Sequence, residues 1–582
     1  MKAKRWIVRQ HDAERAASLA RVLGVSPILA ALLINRGYAD ERAARVFLSP
    51  TYDQLHEPYD MLGMREAVVR VQRAIDAGER IMLYGDYDVD GTTGTAILLR
   101  ALKLLGANVG FHIPHRFTEG YGIQQKALEQ AFADGYTLVI SIDCGIRAHE
   151  PLHWARKTGL DVIITDHHLP DEKEGAPPAF AVLNPNQADC SYPDKNLAGV
   201  GVAFKLVHAL FREKGREAQV PAFMKVVAIG TVADVAKLVG ENRTIVAIGL
   251  KDLASVANPG LRALMSVAGC GDGKGMTAYD LGFRLGPRIN AAGRMDAARA
   301  VVELFDTRDS EEARRLATHL DARNEERKTV QQQIVDLAAA ELGDDREGNY
   351  VAVIAGEGWH RGVIGIAASK IAEKVNRPCV VLSVEGEVAH GSGRSIEAYH
   401  LLNGLTACAD LFEKFGGHSH AAGITIRPER IPEFRRRLNE HAASCLSADD
   451  LEPSVIVDLE LPPESVTFAL AREMEALEPF GAGNPHPVFV TRGLRSLSEP
   501  VVLKDRHLKM RLAGPENRPL EAVWWNCVES PGQTPSLNGS IELAYMLETS
   551  AWNGDYRMQL KVLDLRCALY LVLCTWCLLL NA

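Results

Sequence analysis

The chain has 582 residues, a formal net charge of −9, 47% apolar and 24% charged residues. That length implies about three to four domains with ample core, and the charge excludes a uniformly basic surface while leaving room for a local basic groove. The N-terminal stretch MKAKRWIVRQHDAERAA has no apolar core of signal-peptide length, and seven of the ten cysteines show no paired spacing. Reduced thiols in a cytoplasmic protein are therefore expected.

Residues 1–65 read as a helical lead-in, with apolar positions at helical spacing through 16–23 and 28–34. From residue 66 strands and helices alternate. Strands are expected at 80–84, 107–113, 137–142 and 161–165, and helices at 68–77, 94–105, 124–133, 150–158, 198–211 and 222–235. This alternation predicts a parallel sheet covered on both faces, in a domain spanning 66–305. Residues 306–346 are charged and helical and read as a solvated connector. A second α/β domain is expected over 347–450, with strands at 351–355 and 379–383 and a helix at 365–374. Its glycine-rich runs, 391–394 and 416–423, read as turns that let a phosphate approach the backbone, and Arg394 and His418 inside them favour that contact.

Short strands separated by turn residues fill 451–566 and predict a β-barrel of the OB type. Lys504, Arg506, Lys509 and Arg511 stand beside Trp524, Trp525, Trp552 and Tyr556, a composition suited to stacking single-stranded bases. Trp524 and Trp552 are the stacking candidates, although one of the adjacent pair Trp524 and Trp525 must face inward. The final stretch 567–582, CALYLVLCTWCLLLNA, carries no charge. It falls short of the roughly 20 apolar residues of a membrane span, so an unpacked tail is expected, with an interfacial anchor as the alternative.

The polar residues that carry chemistry fall at strand ends. Asp86, Asp88 and Asp90 alternate just after an apolar strand. Carboxylates this close repel one another unless a cation sits among them. A calcium loop would need a bidentate Glu at its twelfth position, where Ile97 stands. Asp143 and the triplet Asp166-His167-His168 follow two further strands, and Asp234 interrupts an apolar helical run where an acid should be paired or metal-bound. Carboxylates mixed with imidazole suit Mn²⁺ or Mg²⁺ better than zinc, and there are enough acids for two ions in a phosphoester-hydrolysing clamp.

At these residues the chain resembles the DHH phosphoesterase superfamily. The motifs Asp86-Tyr-Asp88-Val-Asp90-Gly91, Ser141-Ile-Asp143-Cys-Gly145, Thr165-Asp166-His167-His168 and Gly230-Thr-Val-Ala-Asp234 stand in that family's order. The runs GPRINAAGR (286–294), GWHRGVIG (358–365), GSGRS (391–395) and GGHSHAAG (416–423) are similar to its branch of single-strand-specific DNA exonucleases. The resemblance implies a DHH-type parallel-sheet domain, a connecting helix, a DHHA1-type domain and an OB-fold. It implies metal ligation by Asp86, Asp88, Asp90, Asp143, His167 and Asp234, with Asp86 either a ligand or an orienting group. His168 would face the scissile phosphate, with Asp166 and Asp143 in the catalytic set. Arg116, Ser392 and Arg394 correspond to a pocket for the 5′-terminal phosphate, and Arg288, Asn290 and Arg294 would add DNA contacts. The implied activity is 5′→3′ digestion of single-stranded DNA to 5′-mononucleotides in recombination and repair. It would need Mn²⁺ or Mg²⁺, and a monomer working with single-strand-binding protein and a helicase is expected. A phosphodiesterase acting on short RNA or cyclic dinucleotides is the first alternative, and residues 454–566 argue against it. A non-catalytic single-strand-binding scaffold is the second, and the full set of motif acids argues against that.

Overall fold

A computed structural model describes residues 4–271, 275–295, 297–342, 349–515, 518–528, 537, 539–552 and 555–567. The apolar stretch 568–582 lies outside the described residues. The chain divides into two units, one of residues 1–49, 448–480 and 485–582, the other of 50–447 with 481–484.

The larger unit begins with a five-stranded sheet. Its strands are β1 (Arg80–Gly85), β2 (Asn108–His112), β3 (Leu138–Ile142), β4 (Asp161–Thr165) and β5 (Ala181–Leu183). They lie in the order β2-β1-β3-β4-β5, and every pairing is parallel. β3, Leu-Val-Ile-Ser-Ile, is buried at every residue, as a central strand covered on both faces must be. One face packs on a large core that includes Leu83, Leu98, Ile140, Phe204 and Val227. The other packs on a smaller layer with Tyr84, Leu128, Val139 and Ile164.

Three helices of this domain reach the carboxyl edge of the sheet: α1 (Val89–Leu104), α2 (Gly199–Glu213) and α3 (Met224–Ala233). α1 starts earlier than its apolar pattern suggests, because Asp88 caps it by accepting a hydrogen bond from Gly91 N at 3.0 Å. α3 ends one residue before Asp234, so that acid is a helix C-cap rather than a mid-helix residue.

α4 (Gly286–Arg294) precedes the 33-residue helix α5 (Ser310–Leu342). α5 is more than the solvated connector expected. Leu316, Ala317 and Leu320 belong to the core of the first domain, and Ile334, Val335 and Ala338 to that of the second. The second domain holds β6 (Ala352–Glu357), α6 (Arg361–Val375), β7 (Cys379–Glu385), β8 (Val388–Arg394), β9 (Phe412–Gly417) and β10 (Ala421–Ile426). The sheet order is β9-β10-β8-β7-β6, parallel only between β6 and β7. The first glycine-rich run is therefore not a turn. Residues 391–394 lie within β8, where Ser392 pairs with Gly423 of β10.

The smaller unit departs from an all-helical lead-in. Arg5–Val8 is a strand that pairs in parallel with Ser454–Val457. The helices Ala13–Leu23, Pro27–Asn35 and Glu41–Leu48 follow, and Leu29, Leu32 and Leu33 share a core with Phe489, Leu543 and Tyr545 of the C-terminal sheet. That sheet is mixed and seven-stranded, with Ile541–Trp552 and Asp555–Cys567 as its longest antiparallel pair. Among the described residues no single helix is long and apolar enough to cross a membrane. The one pair that passes by composition is bent by 111°.

Candidate metal centre

The carboxyl ends of β1, β3 and β4 deliver Asp86, Asp143 and the Asp166-His167-His168 triplet to one edge of the sheet, where open α/β folds place ligands. Asp90 sits in the first turn of α1. Its two carboxylate oxygens accept hydrogen bonds from Gly199 N (2.6 Å) and Val200 N (2.7 Å), the opening residues of α2. The N-terminus of α2 thus favours a negative charge at Asp90. Asp143 holds a left-handed backbone at φ 62°, and a Cβ at Gly199 would stand 2.5 Å from Asp143 Oδ1. Only glycine fits there.

His167 Nε2 lies 3.2 Å from Asp143 Oδ1, 3.8 Å from Asp90 Oδ2 and 3.9 Å from Asp234 Oδ2. Three overlapping groups could each hold an ion: Asp86 with Asp88 and Asp143; Asp90 with His167 and Asp234; and Asp143 with His167 and His168. Asp86 Oδ1 and Asp143 Oδ1 are buried with no hydrogen-bond partner, an arrangement that costs free energy unless something pairs with them.

The electrostatics agree. Burial and then Asp88 push Asp90 up to about 7, and burial with Asp90 and Asp88 pushes Asp234 up to about 9. Asp86 and Asp143 are also raised well above the carboxylate range, by burial first and then by neighbouring acids. Burial and then His168 bring His167 down to about 4, so its imidazole is neutral near pH 7 and can act as a ligand. Oxygen donors with one neutral imidazole fit Mn²⁺ or Mg²⁺.

Asp166 is bonded differently. Its oxygens accept from Ile146 N (3.0 Å), His167 N (2.8 Å), His168 N (3.1 Å) and His168 Nδ1 (2.8 Å). Burial would raise it, but these bonds and the charge of His168 hold it below the carboxylate range. Burial likewise opposes protonation of His168, yet the bond to Asp166 and that carboxylate's charge raise it overall. Asp166 therefore orients His168 rather than joining the ligand oxygens.

Against this centre lies a cluster of the opposite sign. Arg294 on α4 is pulled down to about 10, by burial and then by Arg116, Arg327 and Arg394. These four guanidiniums come from α4, the loop after β2, α5 and β8. Among the described residues none of them is in an ion pair. The guanidinium of Arg116 stands over the Tyr87 ring at 4.9 Å, which ties the cluster to the aspartate loop. Arg394 Nη1 donates to Ser392 Oγ at 3.1 Å, and a Cβ on Gly365 of α6 would come within 3.0 Å of that oxygen. Arg327 Nε and Asn324 Nδ2 are buried and unpaired.

Family models match in three places: the DHH family N-terminal domain over 80–231, the DHHA1 domain over 347–444 and the RecJ OB domain over 457–564. The single-stranded-DNA-specific exonuclease RecJ of Bacillus subtilis is 38% identical over 568 residues, 96% of this chain and 70% of that protein. RecJ of Escherichia coli is 35% identical over 579 residues, 95% of this chain and 98% of that one. The chain belongs to the RecJ family. The crystal structure of RecJ from Thermus thermophilus with Mn²⁺ superposes with a TM-score of 0.82 at 31% identity, over 97% of this chain and 79% of that one. The same protein with Mg²⁺ gives a TM-score of 0.77 at 30% identity, over 97% and 78%. Both of those structures hold a divalent ion, and the carboxylate centre of this chain has a donor set that suits one.

Not every expected DNA contact joins the cluster. Arg288 is spent on Asp321 (2.8 Å) and on the carbonyls of Arg284 and Val267. Asn290 Oδ1 accepts from Val89 N at 3.2 Å, so it fixes the start of α1. His418 lies exposed in the β9–β10 turn, its N bonded to Ala421 O. Trp524 packs partly against the core of the smaller unit, whereas Trp525 is 45% exposed. The side chains of Trp552 and Tyr556 lie outside the described residues.

Several residues escaped the sequence reading. Tyr121 Oη is 3.2 Å from His168 Nδ1. Asn184 Nδ2 and Asn186 Nδ2 donate to the carbonyls of His168 (2.8 Å) and His167 (2.7 Å). Arg327 was hidden in the charged helix, where its only signal was Asn324 and Gln331 at helical spacing on either side.

Proposed function

We propose that this chain is a metal-dependent exonuclease that digests single-stranded DNA 5′→3′ to 5′-mononucleotides and serves DNA recombination and repair. The observation that carries this reading is the contact between a carboxylate centre that no Lys or Arg pairs with and an arginine cluster that no acid pairs with, among the described residues. The first suits divalent ions at a scissile phosphate. The second suits a terminal phosphate, since guanidinium forks match phosphate geometry. Holding a 5′ end at a fixed place beside the reacting phosphate makes an enzyme cut from that end.

Asp86, Asp88, Asp90, Asp143, His167 and Asp234 would hold Mn²⁺ or Mg²⁺, two ions in this reading. When bound, the ions supply Lewis acidity to the phosphoester and offset its growing negative charge. His168, its basicity raised by the bond to Asp166, donates toward a phosphate oxygen through Nε2, and Tyr121 limits the rotation of its ring. Asn184 and Asn186 fix the backbone of both histidines. Arg116, Ser392 and Arg394 grip the 5′-phosphate, and Arg294 adds charge beside them. Trp525 is the more exposed of the adjacent tryptophans and takes the stacking role in the OB domain. The family resemblance further supports a cytoplasmic monomer with single-strand-binding protein and a helicase as partners.

Oligomers carrying a 5′ label, single-stranded or duplex, test the reading directly. Mononucleotide release from the 5′ end of the single strand is expected with Mn²⁺ and should stop on chelation. Equal digestion of duplex, release from the 3′ end, or activity that survives chelation would contradict it.

A further inference from the structure

The larger unit contains a second recess, between α1 and α3. Its cavity of about 390 Å³ is lined by Ile97, Leu104, Phe223, Val226, Leu261 and Phe305, among others. Pockets that hold small organic molecules span roughly 300–1,000 Å³ and are mostly apolar with a few placed polar groups. Here the groups left for a guest are cationic: Arg100 on α1, Lys225 on α3, and Arg308 after the helix Ala298–Asp306. Among the described residues no ion pair joins any of the three, and the nearby Asp306 is held by Lys103 at 2.6 Å. Of the uncharged polar groups in the lining, Asn258 and the Gln219 side-chain carbonyl are engaged already. Asn258 bonds Leu261 N and Phe305 O, and Gln219 Oε1 accepts from Arg216. Long cationic side chains with no acid to meet, around an apolar hollow, describe a guest with an apolar body and an anionic head.

The two walls lead to the metal centre. α1 begins beside Asp88 and carries Asp90 in its first turn, and α3 ends immediately before Asp234. A guest whose head meets Arg100 and Lys225 together would tie the two helices to each other. That would restrict the adjustment of Asp90 relative to Asp234.

We propose that this recess is an effector site for a small organic anion with an aliphatic or aromatic body, and that its occupancy slows the exonuclease. The rate effect rests on the exonuclease reading; the binding does not. Anilinonaphthalene sulfonate fluorescence, titrated on the full chain and competed with decanoate or decanol, tests the site. Saturable binding is expected, displaced by decanoate and far less by decanol. The double variant Arg100→Gln/Lys225→Gln should bind decanoate about tenfold more weakly, as expected for losing two charge-assisted contacts at a partly exposed site. Decanoate should slow digestion by the wild-type chain and leave the double variant, with its full basal rate, unaffected. If the double variant does not fold, Val226→Trp, which fills the hollow, should abolish decanoate binding in the same titration. Decanoate binding that is unchanged in the charge variant or the filled variant would overturn the proposal, as would bound decanoate that leaves the wild-type rate unaltered.

Discussion

The carboxylate centre and the arginine cluster lie in one unit and carry opposite charges, yet they are built differently. The acids come from loops at a single edge of one parallel sheet, together with the ends of α1 and α3. The guanidiniums come from a loop, two helices and a strand spread over two domains. In both, like charges crowd together with fewer close counter-charges than they could use, and this costs stability when no ligand is bound. The difference lies in what each ligand must do. A divalent ion needs many oxygens within a few ångströms, which neighbouring strand ends supply. A terminal phosphate needs a few long side chains reaching from several directions, and distant elements can supply those.

The largest effect is expected at the centre. Asp143→Ala should lower kcat by at least about 100-fold, because even residues that only orient a metal ligand typically cost 10–100-fold. Retained digestion of 5′-phosphorylated single strands by this variant would break the assignment. In the arginine cluster, Arg394→Gln should lower kcat/KM on 5′-phosphorylated DNA by about tenfold or more, the loss of one to two charge-assisted bonds. The same variant should act on 5′-hydroxyl DNA nearly as the wild type does, which would separate end recognition from catalysis. An equal loss on both substrates would fold the cluster into the catalytic centre.

A smaller effect is expected in the OB domain. Trp525→Ala should weaken single-strand affinity by about tenfold, within the 1–3 kcal/mol that base stacking on an aromatic contributes. Trp524→Ala should instead lower the unfolding midpoint, because Trp524 packs partly on the core. The smallest effect on activity is expected at Arg288, whose guanidinium meets Asp321 at 2.8 Å. Arg288→Gln should leave digestion within about twofold of wild type while costing about 1.5–3 kcal/mol in urea unfolding, the worth of a hydrogen bond to a charged group. A large loss of DNA affinity there would place Arg288 in the phosphate cluster after all.

The acids were legible in the sequence because strand-end loops are local. An apolar run followed by Asp143, or by Asp166-His167-His168, announces itself within a few residues, and Ile97 alone removed the calcium-loop reading. The bonds of Asp166 were not legible, since they depend on Ile146 N and the folded triplet. Arg327 was hidden because a charged helix looks solvated whichever face is buried. The glycines of 391–394 suggested a turn, but pairing with Gly423 on β10 made them part of a strand. The strand Arg5–Val8 was invisible for a similar reason: its partner, Ser454–Val457, lies at the other end of the chain. Trp524 and Trp525 could be told apart only by the packing of the strand that carries Trp524.

Anomalous scattering from crystals soaked in Mn²⁺ would show directly whether the side chains of the carboxylate centre hold two ions. Two peaks are expected, enclosed by Asp86, Asp88, Asp90, Asp143, His167 and Asp234. Peaks elsewhere, or none among these side chains in crystals that bind Mn²⁺ at other sites, would contradict the two-ion centre.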